Sequence, residues 1–135
     1  MKLKYQLKMQ NKTYIFDLHE DHGTWLKALN FYQDEILVFK NRLAEVSAKN
    51  SAPDVKHEVE KFQNRFFIQK NEIDLLKHYI NHSEAELVDE IKANPIASDH
   101  RKTEEDLPLR ERFEIFEKLF KELKVDFNEF VAKYL

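Results

Sequence analysis

No glycine or proline interrupts the chain between Pro53 and Pro95, and that stretch carries one hydrophobic seam almost from end to end. Val55, Val59, Phe62, Phe66, Ile73, Leu76, Ile80 and Leu87 follow a step of four and three residues, with Gln69 and Ser83 as polar substitutes in the series. That step keeps every member on one side of an α-helix. At 1.5 Å per residue the helix is roughly 60 Å long, twice the width of a small domain, so it needs partners of similar length. Ser51, Pro53 and Asp54 mark its start, the hydroxyl and carboxylate being placed to satisfy free N–H groups. Asn94, which tolerates left-handed backbone, and Pro95 mark its end. Ser83 with Glu86 repeats the capping pattern and is the one place where the rod has a means of breaking.

Two further seams hold the same rhythm. The first runs through Leu18, His22, Trp25, Leu29, Tyr32, Ile36, Phe39, Leu43 and Val46, opened by Asp17 and Glu20. Gly23 costs about 1 kcal/mol inside a helix, which allows a start as late as Thr24. The last runs through Leu109, Phe113, Phe116, Phe120, Leu123, Phe127, Phe130 and Tyr134 behind Asp106 and Pro108. Asp126 and Glu129 offer a restart after Val125, and so a kink. A polar linker, Ile96 to Glu105, precedes it. The link near Lys49 to Ser51 is short enough to force antiparallel neighbours.

These seams predict an all-α fold: an antiparallel three-helix bundle, spectrin-like in outline, with helices at about 18–49, 52–93 and 107–134. The bundle is expected to fill 18–135, behind an N-terminal arm or short β-hairpin at 1–17. The hairpin would pair the alternating residues 2–9 with a second strand at Thr13, Tyr14, Ile15 and Phe16. Folding back near residue 50 sets Tyr32 level with Gln69, Trp25 with Leu76 and Phe39 with Phe62. The Tyr32 hydroxyl is then the natural partner for Gln69, whose expected role is to fix register.

Charged residues make up 35% of the chain and hydrophobic ones 42%, a balance that suits long solvent-washed helices. A net charge of -3, with bases scattered among acids, gives no face for nucleic acid or anionic membrane. No apolar run reaches the 18 or so residues of a membrane span, and the alternation at residues 2–9 is not a signal peptide. A cytoplasmic location is expected. With no cysteine, disulfides, thiolate metal sites and cysteine nucleophiles are excluded, and a single glycine rules out phosphate-cradling loops.

Histidine is the residue type that invites chemistry. The order His22, His57, His78 with His82, and His100 with Glu105 resembles that of the hemerythrin di-iron proteins. Two departures break the resemblance. Lys61 stands four after His57 where a ligating carboxylate is needed, and His57 and His82 lie on one rod about 37 Å apart. His19, His22, His78 and His82 instead gather at one end of the bundle, with Glu122 of the third helix as a possible companion. They are the candidate metal ligands, for zinc or another late divalent ion. His22 faces inward and His78 outward, so their vectors do not converge. Glu84, Glu86, Asp89 and Glu90 read as a solvated acidic run. Nothing pairs an acid with a base in a defined pocket, so no catalytic residue and no cofactor is nominated.

The sequence thus points to a non-enzymatic helical interaction or scaffolding module. Outer rows at Ile68 and Leu75, Phe31 and Val38, and Ile115 and Leu119 widen each apolar face. They make a homo-oligomer, a dimer first, the expected partner, with another protein as the alternative. The competing reading is a metal- or small-ligand-binding bundle that uses the histidine-rich end.

Overall fold

The computed structural model describes residues 12–95, 102–104 and 107–135. In chain order they form β1 (Lys12–Tyr14), α1 (Ile15–Lys49), α2 (Pro53–Ala93), β2 (Lys102–Glu104) and α3 (Leu107–Tyr134). The three helices pack into a bundle in which α2 is antiparallel to the other two. Along the parallel pair α1 and α3 the rings run in step. Trp25 meets Phe113 with centroids 5.6 Å apart, Tyr32 meets Phe120 at 4.5 Å, and Phe39 meets Phe127 at 5.1 Å. The expected seams are what the bundle buries, and twenty of their residues form one continuous core. No described helix is long and apolar enough to cross a membrane.

The rod does not break. α2 passes through Ser83 as helix and ends at Ala93, and α3 passes Val125 without interruption. Its caps differ from expectation. Ala52, not Ser51, is the N-cap, and it makes no side-chain capping bond, so Pro53 and the first-turn Asp54 alone mark the start. Asn94 ends α2 with φ -146, not left-handed, and its N–H donates to the Glu90 carbonyl at 3.3 Å.

α1 begins three residues earlier than the cap pattern suggested. Ile15 and Leu18 are buried with Leu87 in a small cluster of their own, and that burial draws the first turn into the helix. Gly23 sits inside α1, and a Cβ there would meet nothing within 4 Å, so close packing does not require glycine.

The expected hairpin is corrected in part. Residues 2–9 lie outside the described residues. The strand at Lys12–Tyr14 pairs antiparallel with β2 in the supposed linker, Thr13 opposite Thr103, while Ile15 and Phe16 are helical. The register of α1 on α2 is displaced as well, by about one turn. The Phe39 ring meets Phe66, with centroids 5.9 Å apart, and Lys77 donates to Gln33 at 2.6 Å. The reversal runs through extended backbone at Asn50 and Ala52, which lengthens it and moves every facing pair along. Tyr32 therefore does not serve Gln69. Its hydroxyl donates to Glu117, and the buried Gln69 Oε1 has no hydrogen-bond partner.

Candidate functional site

The polar side chains with the most unusual environment lie where the start of α1 meets the last third of α2. His19 and His22 are one turn apart on α1, and both present Nδ1 to the carboxylate of Glu84 on α2. His19 contacts Oε1, and His22 contacts Oε2 at 2.6 Å. A carboxylate only accepts, so each Nδ1 carries the proton and donates it. The other ring nitrogen of His22, Nε2, points away from the carboxylate. That ring is 1% exposed, and its Nε2 has no hydrogen-bond partner. The Trp25 ring lies beside it, with centroids 5.6 Å apart.

Neighbouring contacts hold the frame. Arg110 at the start of α3 donates to Asp21 at 2.6 Å while its guanidinium lies 5.0 Å from the Trp25 ring centre. Thr103 of β2 donates to Glu90 at 3.3 Å, tying the small sheet to α2. A cleft of about 460 Å³ opens at the site, lined by His19, Glu20, His22, Thr24, Lys27 and Glu84 among others.

Of the four candidate histidines, the structure brings His19 and His22 together on one carboxylate. It does not bring His78 or His82 to them. His78 is exposed and meets the edge of Tyr79, and His82 pairs along its own helix with Glu86 at 3.2 Å. Glu122 is not at this end either. It lies about 18 Å along α3 from Arg110, because α3 runs parallel to α1 and starts beside the histidines. His100 is outside the described residues. Among those described, no group of three or more His, Asp or Glu side chains surrounds a common point as metal ligands would.

Sequence reasoning missed Glu84, which it grouped with a solvated acidic run. The available signal was its place next to Ser83, where the polar seam position brings α2 against the start of α1. A second polar cluster was missed on the opposite side of α1. Tyr32, Glu35, Glu117 and Lys124 meet there across the α1/α3 groove, with Lys124 donating to Glu35 at 3.0 Å. Burial, then the hydrogen bond and charge of Glu117, then the charge of Glu35, push the Tyr32 phenol well above its ordinary range.

Across the α2/α3 groove, Arg112 grips Glu72 with its Nε and a terminal nitrogen, the closest contact being 2.7 Å. It also lies 5.2 Å from the Tyr79 ring centre, and the bond to Glu72 raises its pKa further. Arg65 pairs with Asp126 at 3.0 Å in the same groove. One turn to the side, Ile68 and Leu75 of α2 and Ile115 and Leu119 of α3 stand exposed.

Comparison with protein-family models, with curated proteins and with solved structures gave no match to this chain.

Proposed function

We propose that the chain is a non-enzymatic helical interaction module that acts through its surface and pairs with a second copy of itself. One observation carries this reading. Ile68, Leu75 and Tyr79 of α2 and Ile115 and Leu119 of α3 are all exposed along one groove, and none of them belongs to the buried core behind it. A single exposed leucine means nothing, whereas five large apolar side chains along one groove resemble a docking face.

The occupant follows from the charges. Arg65, Glu72, Arg112 and Asp126 are paired within the chain, so a partner need bring only apolar surface. A second copy of the same groove, turned about a two-fold axis, supplies it. A cytoplasmic location belongs to the same proposal, and fractionation of cells with an antibody to the chain tests it.

Sedimentation equilibrium at high micromolar concentration tests the pairing. The expected mass is twice 16.3 kDa. Leu75→Glu combined with Ile115→Glu, at exposed positions, should return the monomer with an unchanged helical spectrum. A wild-type monomer at that concentration overturns the proposal.

A further inference from the structure

The contact of two imidazoles with one carboxylate has a use that the packing of the bundle does not require. Three Lewis bases, from His19, His22 and Glu84, come within hydrogen-bonding reach of one another across two helices, with only protons between them. The other species that three such bases hold is a divalent cation. We propose that His19, His22 and Glu84 bind one late first-row divalent ion, with Zn²⁺ as the representative.

The donor set has the right chemistry. Two imidazole nitrogens and one carboxylate oxygen suit zinc and its neighbours, leaving a fourth position for water. The arrangement is also asymmetric in a useful way. His22 is buried inside the protein, whereas the His19 side chain is 58% exposed. Glu84 is reached from the cleft, which gives an entry path and room for the bound water. Gly23, beside His22, adds no side chain to block it.

In the structure the carboxylate lies between the rings, one oxygen to each, and the three groups do not surround a common point. Ligation needs two small changes. His19 and Glu84 rotate about their side-chain bonds, and the proton on each Nδ1 moves to Nε2. For His19 that nitrogen is on an exposed ring. For His22 it is buried with no hydrogen-bond partner, so the shift places an unpaired N–H there, a cost that coordination at Nδ1 has to offset.

The experiment is a calorimetric titration of the full, untagged chain with Zn²⁺, repeated with Co²⁺ to read the ligand field by absorbance. The expected result is one equivalent bound, with a Co²⁺ spectrum of nitrogen and oxygen ligation. His19→Ala and Glu84→Gln should each weaken binding about tenfold or more while the helical spectrum stays the same. His78→Ala with His82→Ala should leave it unchanged. Absence of a one-to-one site in the wild type overturns the proposal. So does binding that survives both His19→Ala and Glu84→Gln, or that is lost with His78 and His82.

Discussion

The hydroxyl of Tyr32 donates to the carboxylate of Glu117 at 2.5 Å, bridging α1 and α3 near the middle of the bundle. Burial and the two nearby acids favour the neutral phenol, so the folded protein holds this proton more tightly than the unfolded chain. The resulting stability is complete below the unfolded pKa of about 10 and is lost as pH rises through the higher folded value. Tyr32→Phe removes both the bond and the titration. It should cost about 1 kcal/mol at neutral pH by stranding a half-buried carboxylate, and its stability should fall less steeply than wild type above pH ~10. Urea unfolding across an alkaline pH series reads both effects, and parallel curves for the two proteins would refute the assignment.

Gln69 presents the opposite case, a buried polar residue whose side-chain oxygen no donor serves. It is 8% exposed and its Oε1 has no hydrogen-bond partner. Gln69→Leu keeps the volume and removes the stranded oxygen, so it should stabilise the fold by about 1 kcal/mol and raise the melting temperature by a few degrees. Thermal unfolding gives the shift. Should Gln69 be needed to hold the seams in register, the variant will instead melt broadly.

The contrast between these two residues shows what could be read in advance. Seam residues such as Phe66, Leu76 and Phe120 were legible because burial on a long helix follows a local period. The partner of Tyr32 was not, because it depends on a register that one extra stretch of extended backbone shifts by a turn. Ile15 escaped for a related reason. Asp17, two residues on, reads as a cap, and only Leu87, far along the chain, makes that first turn worth forming. β2 has no alternating apolar residues to announce it, since Lys102–Glu104 pairs through its backbone. Glu84 looked like one more solvated acid until α1 placed two histidines against it.

Adjacent phenylalanines give a direct test of the seam. Phe66 is 0% exposed and packs on the rings of Phe39, Phe62 and Phe127, whereas Phe67 is 63% exposed. Phe66→Ala should cost about 3–5 kcal/mol through lost transfer energy and the cavity left behind. Phe67→Ala should stay within about 0.5 kcal/mol. Equilibrium urea unfolding separates them, and equal losses would mean that the helix is rotated relative to this packing.

Asn50 closes two helices with one side chain. Its Nδ2 donates to the Val46 carbonyl at 2.9 Å at the end of α1 and to the Tyr134 carbonyl at 3.1 Å at the end of α3. Both carbonyls belong to last turns that lack partners within their own helices. Asn50→Ala removes both bonds and should cost about 1–2 kcal/mol. Asn50→Asp should be worse, because a carboxylate cannot donate and places negative charge at the negative ends of two helix dipoles. Hydrogen exchange tests the bridge more sharply than stability does. The last turns of α1 and α3 should lose protection together in Asn50→Ala, whereas faster exchange confined to α1 would show that Asn50 caps its own helix alone.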